Sequence, residues 1–240
     1  MNVLILGAGK PAVEADSGSY PTLLTELGGV TLVERILTSV AALPARRLIV
    51  ALREEDVARH HVDHVVRLVA PNAQVVRSKG VTSGAACTAL LASQHFLADE
   101  ELLIVSANEW LSCSYSESVE GLRSHGFDAG TLVFDSVHPR YSYVRVREGQ
   151  VLEAAEKKPI SRHATAGFYW FARTSDFLAG AHEMIRKDAH VNGLFYVCPV
   201  FNELILAQKK VGALPLNPSH YHPVKTEQQA LREDTLLQGS

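Results

Sequence analysis

The chain has 240 residues, 47% of them hydrophobic, enough to bury one large core, so a single domain or a domain with a small subdomain is expected. A formal net charge of -3 and a pI near 6.4 offer no basic face to nucleic acid, and no apolar run reaches the roughly 20 residues that span a bilayer. Met1–Leu6 lacks the length and basic start of a secretory signal, and Cys87, Cys113 and Cys198, odd in number and far apart, form no zinc pattern and suit small apolar roles in a reducing cytoplasm.

Asn2 to Leu6 is an apolar run and reads as a buried strand. Leu6-Gly7-Ala8-Gly9 then turns the chain with amides exposed, a loop that can hold a phosphate or lie against a nucleobase. A plain tight turn satisfies the same residues. The dinucleotide fingerprint is excluded, because Pro11 and Val13 stand where glycines are needed. Further strands are expected at Arg47–Leu52, Gln74–Arg77, Leu102–Ser106 and Ala129–Asp135, with helices between them at Leu32–Ala42, Glu55–Leu68, Ala85–Phe96 and Glu117–Ser124. That alternation implies parallel strands joined by crossover helices. After Asp135 the rhythm changes. Tyr143–Arg147 and Val151–Ala155 flank Glu148-Gly149-Gln150 as a hairpin, and Thr165–Phe171 is an aromatic-rich strand. Helices at Asp176–Arg186 and Pro199–Lys209, a strand at Gly212–Leu216 and a polar C-terminal helix close the chain. The sum is a three-layer α/β domain with a mixed sheet in its second half.

Several segments carry chemistry at element ends. Ser78 to Ala86 ends a strand and opens a helix that Thr82 or Ser83 can cap. There Gly84 would let a ligand approach the backbone, and the helix start at Ala85 favours anions, although capping alone explains the same residues. Leu102–Ser106 stops at the polar pair Asn108-Glu109, where open α/β sheets bind ligands. In Ser136–Tyr143 the Arg140 fork suits phosphate or carboxylate and a histidine stands at His138, a residue type that can act in proton transfer; a solvated loop is the plainer alternative. Glu156 can accept two hydroxyl bonds and Lys157 offers a compact positive charge for phosphate, with a surface ion pair as the rival reading. His60 and His64 stand four apart on a helix pattern beside His61 and Asp63, but no further ligand is suggested and Arg59 and Arg67 mark the face as solvated.

The order of these segments resembles the sugar-nucleotide pyrophosphorylases, the nucleotidyltransferases that couple a nucleoside triphosphate to a sugar phosphate. The likeness rests on the glycine loop, Tyr20-Pro21-Thr22-Leu23-Leu24, Gly28-Gly29-Val30-Thr31-Leu32-Val33-Glu34-Arg35, Thr82-Ser83-Gly84-Ala85-Ala86, and above all Glu156-Lys157-Lys158-Pro159 followed by Gly167-Phe168-Tyr169. It implies a GT-A-like, Rossmann-like nucleotidyltransferase fold with a mixed central sheet. Residues 1–135 would form the nucleotide half and 136–240 the sugar-phosphate half. The nucleotide would lie on Leu6, Gly7, Ala8, Gly9, Thr82, Gly84 and Ala85. Glu156 would bind a sugar hydroxyl and Lys157 the sugar phosphate, Gly167 would give the sugar room, and Asn192 is a candidate sugar contact in a loop otherwise read as packing. The implied cofactor is Mg²⁺, at the position of Asn108 with Glu109 as a substitute. The implied partners are a nucleoside triphosphate and a sugar phosphate, or a sugar nucleotide, with homo-oligomerisation compatible and the setting surface-polysaccharide biosynthesis in the cytoplasm.

The sequence departs from that pattern at its charges. Val13 takes the place of an arginine, Thr22 of a lysine and Asn108 of the metal aspartate, and the turn His222-Pro223-Val224-Lys225-Thr226 lacks the second metal acid. Lys10, Lys79 and Arg140 are the cations available to compensate, with Lys10, Arg140 and Lys157 the catalytic candidates. Two alternatives stay open: a binding protein on the same fold that has lost the reaction, and a glycosyltransferase, which the absence of an Asp-x-Asp pair after Leu102–Ser106 weakens.

Overall fold

The computed structural model describes residues 1–9 and 20–238. The chain opens with β1 (Asn2–Gly7), the short hairpin β2 (Glu26–Leu27) and β3 (Val30–Thr31), α1 (Leu32–Ala41), β4 (Arg47–Arg53), α2 (Glu54–His60) and α3 (Val62–Val69). It continues through β5 (Gln74–Ser78), α4 (Ala85–Leu91), β6 (Leu102–Ser106), β7 (Glu109–Leu111), α5 (Tyr115–Ser124) and β8 (Ala129–Asp135). The remainder comprises β9 (Ser142–Arg147), β10 (Gln150–Glu156), β11 (His163–Phe171), α6 (Thr174–Arg186), α7 (Val200–Leu206), β12 (Val211–Pro215), β13 (Tyr221–Pro223) and α8 (Glu227–Gln238).

Nine strands form one mixed sheet in the order β5-β4-β1-β6-β11-β8-β12-β10-β9. The first four run parallel, as crossover helices require, and β11 enters antiparallel to both β6 and β8. Period-two alternation sends Val3 and Ile5, Leu103 and Val105, and Phe168 and Trp170 into one core, while Leu4, Leu102, Ile104, Tyr169 and Phe171 enter another. Helices α1, α3 and α5 cover the first face, and α4, α6 and α7 the second. Each large side chain buried this way stabilises the fold by roughly 1.5–3 kcal/mol. The far end of the sheet is closed. Ala164 of β11 also pairs with Tyr143 of β9, so β8 to β12 close into a ring of five strands.

Several expectations need correction. The pattern at Glu55–Leu68 is two helices, because His61 adopts a left-handed φ of 51° between α2 and α3. His60 and His64 therefore share no helical face; His60 meets the ring of Tyr20 and His64 stacks on His61. The pattern at Ala85–Phe96 ends as α-helix at Leu91 and finishes in one 3₁₀ turn. The hairpin at Glu148-Gly149 is tight, with φ of 52° and 79° at its two central residues. Three small elements lacked a readable pattern: the β2–β3 hairpin, and β7 and β13, which pair antiparallel away from the main sheet. Cys198 is buried, with burial pushing its thiol pKa well up, whereas Cys87 and Cys113 are only half-buried. Among the described residues no helix is long and apolar enough to cross a membrane.

Candidate functional site

One cavity of about 590 Å³ opens beyond the carboxyl ends of β1, β4, β6 and β10. Ligands of open α/β sheets sit at such strand ends, because side chains of successive loops converge there. Leu6, Gly7, Ala8, Gly9, Thr82, Gly84, Ala85, Asn108, Glu109, Arg140, Glu156, Lys157, Gly167 and Asn192 all line it. Lys10 and Val13 lie outside the described residues.

The end beneath β1 is made of backbone and small side chains. A Cβ on Gly7 would stand 2.5 Å from Leu23 Cδ1 and 3.0 Å from the Ala51 carbonyl, so this glycine serves strand packing. A Cβ on Gly9 meets nothing within 4 Å. Gly84 has a φ of 112°, and its Cβ would fall 2.3 Å from the Phe195 carbonyl oxygen. The space a Cβ on Gly84 would take thus belongs to the crossing segment at Phe195, which hydrogen-bonds the Ser83 carbonyl and the Ala86 amide. Neither Thr82 nor Ser83 caps α4. Gly84 is the N-cap residue, and Thr82 Oγ1 lies 2.7 Å from Thr88 Oγ1 instead. Arg53 and the buried Asp56 close a two-pronged ion pair at this end.

The opposite end is crowded with charge. Glu109, 3% exposed, accepts from Tyr221 Oη at 2.5 Å and pairs with Lys225 Nζ at 3.0 Å, both through Oε2. Its other oxygen occupies the place a Cβ on Gly167 would need, at 2.0 Å. Gly167, with φ of 64°, makes room for a carboxylate of the protein itself. Glu156 is buried; burial raises its pKa, opposed by a hydrogen bond from Ser142 and the charges of Lys157 and Lys225. Lys157 donates to Tyr196 Oη at 2.9 Å, with Nζ 5.1 Å from that ring's centre. Arg140 Nε donates to His138 Nδ1 at 3.1 Å. Asn192 has a φ of 53° and Gly193 of 76°, so the Asn-Gly pair makes the tight Val191–Leu194 turn and thereby sets Asn192 at the cavity wall.

Residues missed by the sequence reading include Arg53, Asp56, Ser142, Thr165, Tyr169, Tyr196 and Lys225, all of which line the cavity. Lys225 carried a readable signal, since it stands in the turn where the resemblance calls for an acid. Tyr196 lay in a loop read as packing, and nothing local marks its hydroxyl as a partner of Lys157.

The residues at the implied Mg²⁺ position do not suit a divalent cation. Hard cations select several oxygen ligands, carboxylates foremost. Asn108 is exposed and offers a neutral amide, while the adjacent carboxylate, Glu109, already faces an ammonium and a phenol. Among the described residues no group of three or more His, Cys, Asp or Glu could hold a metal.

The sequence matches no family model and no curated protein. The structure does match solved proteins. A nucleoside-diphosphate-sugar pyrophosphorylase from Vibrio cholerae RC9 superimposes with a TM-score of 0.77 at 18% identity, over 97% of this chain and 99% of that one. A protein assigned as a glucose-1-phosphate thymidylyltransferase from Bacillus anthracis, in complex with sucrose, gives a TM-score of 0.79 at 15% identity, over 100% of this chain and 96% of that one. The chain shares their fold. The likeness covers nearly the whole chain, and it carries no residue-level statement at these identities.

Proposed function

We propose that the chain is a nucleotidyltransferase-type enzyme that joins a nucleoside triphosphate to a phosphorylated sugar, in the GT-A-like arrangement of sugar-nucleotide pyrophosphorylases. The observation that carries this reading is the single cavity with two unlike ends, one lined by Gly7, Ala8, Gly9, Thr82 and Ala85 and the other by Glu156, Lys157 and Asn192. Backbone amides and small side chains suit a flat base and its ribose. A buried carboxylate beside an exposed ammonium suits a hydroxylated, phosphorylated partner. Bound in that order, the sugar phosphate presents an oxygen to the α-phosphorus of the triphosphate. A new P–O bond forms there, the α–β bridging bond breaks, and pyrophosphate leaves with the bonding pair. Arg140 and Lys157, with Lys10 from the first loop, supply positive charge to that transfer. Surface-polysaccharide precursor synthesis in the cytoplasm is the setting this product suits, and a homo-oligomer is compatible with it.

A second reading is favoured by one observation. Glu109 is sealed by Lys225 and Tyr221, so a carboxylate that would be free for chemistry is committed to structure. Losing one preorganised electrostatic group costs about 10²–10³ in rate, and Val13, Thr22 and Asn108 together, at three positions where the resemblance calls for charge, would leave a sugar-nucleotide-binding protein. Pyrophosphate release from nucleoside triphosphates mixed with sugar phosphates separates the two. Turnover establishes the enzyme, thermal stabilisation by sugar nucleotides without turnover establishes the binding protein, and neither response sinks the proposed ligand class.

A further inference from the structure

Lys225 sits on the short link between β13 and α8, and three independent contacts fix where its ammonium lies. The preceding amide, Val224 N, donates to the Asn108 carbonyl at 2.9 Å, tying the link to the short turn between β6 and β7. Nζ pairs with buried Glu109 at 3.0 Å, and the Tyr141 ring centre stands 5.0 Å away. Behind the link, His222 stacks on Trp110 with ring centres 4.6 Å apart, and its two nitrogens meet Ser112 Oγ at 3.1 Å and Glu233 at 2.8 Å. Residues of β7, β13 and α8 therefore hold the turn, and the side chain it presents lines the cavity with 19% of its surface exposed.

A lysine ammonium has three N–H donors, and the Glu109 pair uses one of them. Glu109 is in turn placed by Gly167, whose missing Cβ is the space for Oε1. The unit is an ammonium held at the cavity wall by buried Glu109, with Glu156 also within its electrostatic reach, and it keeps donor capacity beyond the Glu109 pair. It also stands where a divalent cation would have to stand, since both would use Glu109 and the end of β6.

We propose that Lys225 is the resident cation of this site: its ammonium neutralises the phosphates of a nucleotide ligand, and binding does not require a divalent metal. The inference rests on the nucleotide-binding reading above and goes beyond it by naming the group that replaces the metal. Lysine is a point charge that pairs with phosphate without the coordination demands of Mg²⁺. Tyr221 and Glu109 are positioning residues in this account, because they act through the Lys225 side chain.

The test is calorimetric and thermal-shift titration of the full chain with ATP, CTP, GTP, UTP, dTTP and inorganic pyrophosphate, in EDTA and then in excess Mg²⁺. For the tightest-binding probe, affinity should change by less than about twofold between the two conditions, and Lys225→Ala should weaken it by about tenfold or more. Because Lys225→Ala leaves Glu109 buried without a partner, the double variant Lys225→Ala/Glu109→Gln is measured beside it. It should melt close to the wild type and show the same loss of affinity. Binding that appears only with Mg²⁺, or that survives both variants, overturns the assignment while leaving the nucleotide site in place. Absence of any response to every probe overturns the nucleotide reading and this inference together.

Discussion

The two ends of the cavity are built from different material. Beneath β1 the lining is backbone, glycine, alanine and threonine, with the charge pair of Arg53 and buried Asp56 at its edge. Across the cavity, Glu109, Glu156, Lys157 and Lys225 crowd together with the hydroxyls of Ser142, Tyr196 and Tyr221. At the first end Gly7 and Gly84 answer to packing, and at the second Gly167 answers to a carboxylate. A glycine at a ligand site is thus no measure of ligand contact until the space beside it is inspected.

Substitutions at the glycines break that comparison most sharply. Gly167→Ala forces a Cβ against Glu109 Oε1 at 2.0 Å and a side chain into φ of 64°, and should cost about 3 kcal/mol or more in urea unfolding. Gly84→Ala meets the Phe195 carbonyl at 2.3 Å and should cost about 2–3 kcal/mol, so bulky residues at Gly84 report on folding before they report on nucleotide. An unfolding midpoint unchanged in either variant would mean that the neighbouring group is not where it is described.

The charged end can be sharpened by pH. Burial is the main influence on Glu156 and raises its folded pKa above the unfolded value. Between the two values the folded chain holds the extra proton, so stability contributed by this group is present at low pH and is lost as pH rises through the folded pKa. Glu156→Gln should therefore melt above the wild type near neutrality, and the gain should vanish below the unfolded pKa of roughly 4.3. Melting curves across pH check this, and a variant that melts lower at neutral pH contradicts the sign. Ligand binding should move the other way: the ionised carboxylate accepts hydroxyl bonds, so the gain in stability should be accompanied by weaker sugar-nucleotide binding.

The smallest effect is expected at Gly9, where an added side chain meets open space. Gly9→Leu should stay within about 0.5 kcal/mol of the wild type in stability, yet it projects bulk into the end beneath β1 and should block nucleotide. Urea unfolding and a nucleotide titration of the same preparation separate the two effects.

The parallel half was legible because its signal is local. Leu102–Ser106 is an apolar run that ends at polar residues, and the structure has it at those bounds. The hairpin at Glu148-Gly149 was legible through its turn chemistry. The break at His61 was not, since the apolar period continues across it and only a left-handed φ at one non-glycine residue marks it. The charged end was half legible. Glu156-Lys157 stood out as a motif, whereas Lys225, Tyr221 and Glu109 meet through β7 and β13, three residues each and too short to print a period. Their pairing depends on contacts between distant parts of the chain that no window of sequence contains.

The division of the cavity is tested most directly by calorimetry with two ligands and two variants. A nucleoside diphosphate sugar and the corresponding nucleoside monophosphate are titrated into the wild type, Gly9→Leu and Glu156→Ala. The account predicts that Gly9→Leu weakens both ligands alike and that Glu156→Ala weakens the sugar nucleotide by about tenfold or more while sparing the monophosphate. Equal weakening of the two ligands by Glu156→Ala would contradict a charged end that recognises sugar.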